Sequence, residues 1–247
     1  MAPAENHLID LLPQAEQQRL LGVCEPVQLV MGEVLCDRGD PVRHVYFPVE
    51  GFICLVTRID GHPSLEVGMV GREGMVGAAL ILGVNKVPLR ALVQGPGAAW
   101  RVDGTAFKRE LALSTVLRRV LQRFVYVRLA QMVASAACLR FHLIEPRLAR
   151  WLLMSQDRAH AEQFHVTHEF LACMLGVRRV GVTAAAGALQ RKGLISYHRG
   201  EIRVLDRRGL EQAACSCYAS DTATYREHMK VAERTATVTC EDPVTIE

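Results

Sequence analysis

Two adjacent arginines, Arg178 and Arg179, stand at the start of a segment with helical periodicity. The positive end of a helix dipole disfavours a cation there by about 0.3–1 kcal/mol at an exposed site. A phosphate or the acceptor edge of a guanine would offset that cost, and the first residues of a recognition helix are the ones that reach base edges. The pair therefore predicts a contact with DNA, with a solvated basic turn as the alternative.

The surrounding segment, residues 167–205, predicts the helices and strands that would hold these arginines in a groove of DNA. Thr167 is placed to cap a short helix, and Gly176 ends it because glycine readily adopts the left-handed conformation of a helix stop. A second helix is expected from about Arg178 to Lys192, with Gly193 as its stop. Two strand-like runs then predict a hairpin: Leu194–Tyr197 and Glu201–Leu205 around His198-Arg199-Gly200. This order is that of a winged helix-turn-helix.

Positive charge is concentrated on the same part of the chain. The whole chain carries a net charge of +3, whereas residues 143–210 contain 11 Lys and Arg against 6 Asp and Glu, a net of +5. Residues 211–247 contain 3 against 7, a net of −4. Such a local excess is what the binding of DNA phosphates requires.

Length and composition set the outer limits. With 247 residues, half of them hydrophobic, the chain can hold one large or two modest domains. The longest apolar run, Met75 to Val84, is far shorter than the roughly 20 residues of a membrane span. The first residues, M-A-P-A-E-N-H, lack the basic and apolar regions of a signal peptide. We therefore expect a cytoplasmic protein with no membrane partner.

The eight cysteines must then be interpreted in a reducing compartment, where scattered cysteines are mostly small buried apolar residues. Cys215 and Cys217 form the one close pair. Neither a second pair nor a C-x-x-C motif stands beside them to complete a zinc or iron–sulfur site. We predict no metal site, with metal binding or redox sensing by this pair as the alternative.

Residues 27–103 predict a β domain of short strands separated by glycine-containing turns. Asp60-Gly61 lies between two strand-like runs and is a strong hairpin signal. These features favour a barrel or a sandwich, which can enclose one ligand or be filled by its own side chains.

A long helix is expected next, because residues 115–140 contain neither proline nor glycine and repeat apolar residues at three- and four-residue steps. The helix has two apolar faces, so it can cover the β domain and also pair with a second copy of the chain. Burial within one subunit is the alternative. We predict that the dimer contacts come from Val120, Phe124, Val127, Gln131 and Ala134.

Three stretches together carry a family resemblance: the glycine pattern from Gly32-Glu33 to V-Y-F-P-V-E-G at 45–51, G-R-E-G-M-V-G at 71–77, and E-P-R-L-A-R-W-L-L at 145–153 followed by the winged segment. Over roughly residues 8–215 the chain resembles the Crp/Fnr superfamily of bacterial transcription regulators. The resemblance implies an α+β fold with four parts: a cyclic-nucleotide-binding-like β-roll (jelly-roll) at 1–112, a long dimerisation helix at 113–141, a winged helix-turn-helix at 142–217 and an acidic tail at 218–247. It also implies a homodimer on a pseudo-palindromic double-stranded DNA operator, and RNA polymerase as a partner if the protein activates.

The resemblance assigns DNA contacts position by position. Members with the best-known operator present an R-E-x-x-x-R pattern in the recognition helix, where this chain has Arg179, Val180 and Ala184. Valine cannot accept a hydrogen bond from cytosine, so the operator should differ from that one. The expected DNA-binding residues are Arg178, Arg179, Thr183, Thr167, His168, Arg191 and Arg199.

The same comparison makes the cyclic-AMP site degenerate. Ala78 stands where nucleotide-binding members place a glutamate for the ribose, and Ala91 follows Arg90 where they place Ser or Thr for the phosphate. Each lost hydrogen bond costs about 1 kcal/mol or more, so cyclic AMP should bind poorly. Another nucleotide or small anion stays open as effector, with a mainly structural β domain that has no effector as the alternative. The expected contacts of such an effector are Arg90, Gly77, Ala78 and Met132.

Two other classes of function stay open. A cupin-like metal enzyme is one, because small β barrels can hold a metal, although residues 27–103 contain no H-x-H cluster and hydrolase and phosphate-loop motifs are absent. A nucleotide sensor that does not bind DNA is the other. The N-terminal cysteines are too widely spaced for the usual iron–sulfur motif, and His44 with Cys36 is a weak haem candidate. We expect no enzymatic activity and assign no cofactor.

Overall fold

The computed structural model describes residues 5–59, 64–159 and 163–230. Its first half is a β-roll of two antiparallel sheets. The strands are β1 (Cys24–Leu29), β2 (Val34–Cys36), β3 (His44–Pro48), β4 (Phe52–Thr57), β5 (Leu65–Val70), β6 (Arg90–Gly95) and β7 (Gly97–Asp103). One sheet has the order β1-β7-β3 and the other β2-β6-β4-β5. The antiparallel pairing of β4 with β5 is the predicted hairpin, while its Asp60-Gly61 turn lies outside the described residues.

Short helices close the roll before the long helix begins. They are α1 (His7–Asp10), α2 (Gln14–Leu21), a 3₁₀ turn (Ala78–Leu82) and α3 (Gly104–Leu113). The long helix α4 runs over Thr115–Phe141, within a residue of its predicted bounds, and Ser114 caps it by accepting a hydrogen bond from the Leu117 amide at 2.9 Å. The predicted order of β-roll followed by one long helix is therefore confirmed.

The inner face of α4 completes the core of its own β-roll. Val120, Phe124 and Val127, which we expected at a dimer contact, are buried there, so that prediction was wrong for these three. Phe124 lies so close to Gly74 that a Cβ at the glycine would stand 2.8 Å from the ring. The sequence does not distinguish the two apolar faces of α4. The space available beneath the β-roll decides which of them is buried. Helix α4 is also long and apolar enough to cross a membrane. The core helices of other proteins meet the same criterion of length and composition.

The second half is a winged helix-turn-helix, as predicted. Its elements are α5 (Ile144–Ala159), β8 (Gln163–His165), α6 (His168–Leu175), α7 (Arg179–Arg191), β9 (Ile195–His198), β10 (Glu201–Val204) and α8 (Arg207–Ala213). Helices α6 and α7 meet at 106°, an angle typical of a helix-turn-helix. The three strands form a sheet of order β8-β10-β9.

A last helix, α9 (Cys217–His228), runs back from the winged domain along α4 to the β-roll. The Tyr225 hydroxyl donates to the Glu73 carbonyl at 2.7 Å, and Met229 enters the core of the roll. Asp221 pairs with Arg150 at 2.5 Å. The first part of the expected acidic tail is therefore this helix, while residues 231–247 lie outside the described part of the chain.

The β-roll and the winged domain share one apolar core at the face of β4 and β5. The carboxyl group of Glu66 lies at this junction. Its Oε2 accepts a hydrogen bond from the Trp151 indole N–H at 3.2 Å. Burial raises the pKa of Glu66 to about 7. The junction therefore holds an acid that changes its charge near neutral pH.

Glu66 should make the contact between the two domains pH-dependent. Its pKa is higher in the folded state than in the unfolded chain, so the stabilising contribution is present below about pH 4.5 and is lost as pH rises through about 7. We expect the melting temperature of the native protein to fall between about pH 5.5 and 8 more steeply than that of Glu66→Gln. Glu227→Gln, at an exposed site on α9, is the matched control and should keep the native slope. Equal slopes for the native protein and Glu66→Gln would contradict this assignment.

Candidate DNA-binding surface and effector cavity

The turn between α6 and α7 is built by the capping residues that the sequence indicates. The Thr167 hydroxyl accepts from the Phe170 amide at 3.1 Å. Gly176 ends α6 in the left-handed conformation with φ 62°. Arg178 is the N-cap of α7, and its side chain makes no capping hydrogen bond. The first amides of α7 are thus left for an external acceptor.

Helix α7 has one buried and one exposed face. Val182, Ala185, Ala186 and Leu189 pack into the winged domain. The other face exposes the following residues to solvent: Arg178, Arg179, Val180, Thr183 and Ala184. The structure therefore brings the predicted base-reading residues together on one outward surface.

His168, Thr183 and Tyr197 join the two helices to the wing. The Thr183 hydroxyl lies 3.0 Å from His168 Nδ1 and donates to the Arg179 carbonyl at 3.1 Å. The imidazole stacks on the Tyr197 ring, with centroids 4.3 Å apart and an angle of 11°. Burial and then the Arg179 charge lower the pKa of His168, which keeps the ring neutral at pH 7. Tyr197 escaped sequence reasoning because a stack across three elements leaves no local pattern.

The wing carries its own arginine at the tip of a two-residue turn. Arg199 and Gly200 have φ values of 50° and 87°, the signs that a type I′ hairpin turn demands. Arginine is an unusual residue in the left-handed region, where Asn, Asp and Gly predominate. The strain of such a residue at an exposed tip is typical of a functional position.

Internal ion pairs divide the basic residues of this domain into two groups. Several are committed to the protein itself: Arg150 to Asp221, Arg158 to Glu73, Lys192 to Glu145 and Arg207 to Asp157. In the part of the chain that the structure describes, Arg178, Arg179, Arg191 and Arg199 have no such partner and are exposed. These cations of α7 and the wing are available to an external polyanion.

A cavity of about 650 Å³ lies between the β-roll and α4. Gly77, Ala78 and Met132, three of the expected effector contacts, line it. Arg90 does not: its guanidinium pairs with Asp37 Oδ2 at 2.5 Å on the surface. Side chains alternate along β6, so Ala91 points inward and Arg90 outward, and the expectation that Arg90 lines this site was wrong.

Arg43 and Lys86 line the cavity as exposed cations, and the half-buried cation of its wall is Arg128, from α4. It donates to the Met69 carbonyl at 3.0 Å and to Gln131 Oε1 at 2.9 Å, and no acidic group of the described residues lies within ion-pair distance. Burial lowers the pKa of Arg128 to about 10. A Cβ at position 68 would stand 2.3 Å from its Nη2, so Gly68 makes room for the guanidinium. Gln131, expected at a dimer contact, supports this arginine.

Two family models match the chain. The Crp-like helix-turn-helix domain matches residues 146–213, and the cyclic nucleotide-binding domain matches residues 26–113. None of the curated proteins matches.

Solved structures of bacterial regulators have the same fold. FixK2 from Bradyrhizobium japonicum is 16% identical with a TM-score of 0.66, over 78% of this chain and 98% of that one. The c-di-GMP-responsive global regulator CLP from Xanthomonas campestris is 18% identical with a TM-score of 0.63, over 78% and 99%. A CRP-family regulator from Thermus thermophilus is 20% identical with a TM-score of 0.63, over 76% and 96%.

The two matched domains together span more than half of the chain, with the cyclic nucleotide-binding domain first. The chain belongs to the Crp/Fnr superfamily of transcription regulators.

Proposed function

We propose that the protein acts as a homodimer that reads a two-fold symmetric DNA operator and responds to a ligand other than cyclic AMP. The observation that carries the DNA part is the set of exposed arginines on α7 and the wing without an acidic partner among the described residues. A protein that held these charges for its own stability would pair them, as it does for Arg150 and Arg158. Recruitment of RNA polymerase would follow if the bound protein activates.

The outer face of α4 supports the dimer. Tyr126, Leu129, Val133 and Ala136 are exposed at steps of three and four residues, the a/d spacing of a two-stranded coiled coil. An apolar stripe of this kind is stabilised by a second copy, and Ala136 lets the two helices approach closely. In a dimer, each of the two α7 helices would contact one half-site of the operator.

The exposed side chains of α7 suggest how a half-site would be read. Arg179 can donate two hydrogen bonds to guanine O6 and N7. Val180, 73% exposed, offers methyl groups suited to the C5-methyl of thymine rather than a carboxylate suited to cytosine. Thr183 is held by its bond to the Arg179 carbonyl, so it fixes the start of the helix as well as facing the groove.

The cavity supports a ligand with an apolar body and an anionic group. Its wall is mostly aliphatic, Arg43 and Lys86 line it as exposed cations, and Arg128 is a half-buried cation whose present partners are a carbonyl and an amide oxygen. Ala78 offers no acceptor for a ribose. Phe124, Val125 and Met132 of α4 form part of the wall, so an occupant would press on the same helix that carries the dimer face. No observation on the described residues favours the cupin-like alternative for this cavity.

Replacing Arg179 with alanine should weaken operator binding by about 1–3 kcal/mol for each half-site and relax specificity at one base pair of each half-site, because a bidentate guanine contact is lost in both. Binding titrations against operators changed at single positions measure both effects. Arg199→Asn is the matched control, because asparagine keeps the left-handed turn while removing the charge. It should weaken binding to all sequences alike and reduce the salt slope of the dimer by about 1.8, which is about 0.9 for each of the two wings. The same sequence-independent loss for Arg179→Ala would make that residue a phosphate contact.

The dimer face can be tested with one substitution that would place a charge inside the dimer interface. Val133 is 65% exposed and lies outside the cavity lining, so Val133→Glu should leave the fold intact while placing two carboxylates against each other across the two-fold axis. We expect the native mass to be twice 27.4 kDa and that of the variant to be 27.4 kDa, measured by sedimentation. Leu113→Glu, 69% exposed on α3, is the control and should stay dimeric. A native monomer at micromolar concentration would overturn the proposed dimer.

Cyclic AMP should leave the thermal unfolding of the protein unchanged. A ligand that binds the folded state raises the melting temperature by mass action, and a site without the ribose acceptor should bind too weakly to do so at about 1 mM. Differential scanning calorimetry with and without the nucleotide measures the effect. A rise of several degrees would show that the ligand is held by groups other than those replaced at Ala78 and Ala91.

A further inference from the structure

Four side chains with metal-binding atoms meet where the long helix α4 ends. They come from Cys138, His142, Cys215 and Cys217, and their ligand atoms all lie within 4.8 Å of one another. The two cysteines of the C-x-C pair, which stand alone in the sequence, acquire two further donors through the fold. Each of the four residues is buried or half-buried.

The spacing of the donor atoms fits a tetrahedral ion. Zinc bonds of about 2.3 Å to sulfur and 2.0–2.1 Å to nitrogen separate two sulfurs by about 3.8 Å and a sulfur from a nitrogen by about 3.6 Å. The Sγ atoms of Cys138 and Cys215 are 3.6 Å apart, and Cys217 Sγ is 3.6 Å from His142 Nδ1. These two separations are close to those that a bound ion would impose, and the other donor pairs lie within 4.8 Å.

Two short sequence features place these donors. Cys138 is in the last turn of α4, and His142 caps that helix by donating its amide to the Cys138 carbonyl at 3.1 Å. Residues four apart at a helix end lie on one side of it. In the C-x-C pair, Cys215 lies between α8 and α9 and Cys217 is the first residue of α9, and the Cys215 amide donates to the Pro146 carbonyl at 3.3 Å. The C-x-x-x-H spacing at 138–142 was the missed sequence signal.

The surroundings suit a negatively charged metal centre. Three thiolates and a neutral imidazole around a divalent ion leave a net charge of −1. The guanidinium groups of Arg147 and Arg150 lie close enough to act on the Cys138 and Cys215 thiols electrostatically, and both are buried. Arg150 Nε lacks a hydrogen-bond partner among the described residues. Because Arg150 is already paired with Asp221, the positive charge that would balance the centre is that of Arg147.

We propose that Cys138, His142, Cys215 and Cys217 bind one zinc ion in a closed, structural Cys₃His site. Four protein ligands leave no open position, so the ion stabilises rather than catalyses. It fastens the start of α9 to the end of α4, directly before α5 begins at Ile144. Zinc thereby fixes the junction between the long helix and the winged domain.

The metal content of the purified full-length protein tests the site directly. Protein prepared under reducing conditions should contain about one zinc per chain by elemental analysis. Cys217→Ser and His142→Ala should lower that stoichiometry, and His142→Cys should restore it because a fourth thiolate replaces the imidazole. Cys173→Ser, half-buried on α6 of the same winged domain, is the matched control and should keep the native zinc content.

Cobalt substitution gives a spectroscopic readout that depends on the coordination geometry of the metal and not on the stability of the protein. Co²⁺ added to the zinc-free protein should produce the intense visible bands of a tetrahedral thiolate site, and one equivalent of Zn²⁺ should abolish them. A metal-free native protein, iron with acid-labile sulfide, or a Cys138–Cys215 disulfide in reduced preparations would each overturn the proposal. None of these measurements involves DNA, so they stand apart from the proposed operator binding.

Discussion

The packing of α4 against its own β-roll is the constraint on which the other features depend. Phe124 fits against Gly74, where even one methyl group would collide with the ring. Once that face is buried, the opposite apolar stripe through Leu129 and Val133 remains exposed, the wall of the cavity is fixed, and the last turn of the helix ends beside the winged domain. One helix therefore takes part in the core, the cavity, the proposed dimer and the proposed metal site.

The loop at 71–77 gives a physical route between the cavity and the winged domain. Met75, Val76 and Gly77 line the cavity, while Glu73 of the same loop pairs with Arg158 of α5 at 2.8 Å. The Glu73 carbonyl also accepts from Tyr225 of α9. A ligand that displaced the loop would have to shift contacts with two helices on the other side of the junction. Such a coupling requires no change within the winged domain itself.

Local signals in the sequence predicted most elements, and tertiary choices explain what they missed. Thr167, Gly176 and the strand alternation act within a few residues, so the helices and strands of the winged domain could be derived. The direction of Arg90 depends on the register of β6, and the burial of Val120 depends on the volume beneath the roll. Cys138 and His142 join Cys215 and Cys217 only through the path of the chain from α5 to α8, which no local pattern in the sequence between them indicates.

The charge count of the winged domain overstates what DNA could use. A cation that already neutralises Asp221 or Glu73 gains little by meeting a phosphate, because its charge is already compensated and its own carboxylate would repel the backbone. The effective footprint is the smaller set on α7 and the wing, where Arg178 and Arg179 stand at the positive end of a helix dipole. Repulsion within that set disfavours the free protein and is relieved when a polyanion binds, so the arrangement that costs stability also strengthens association.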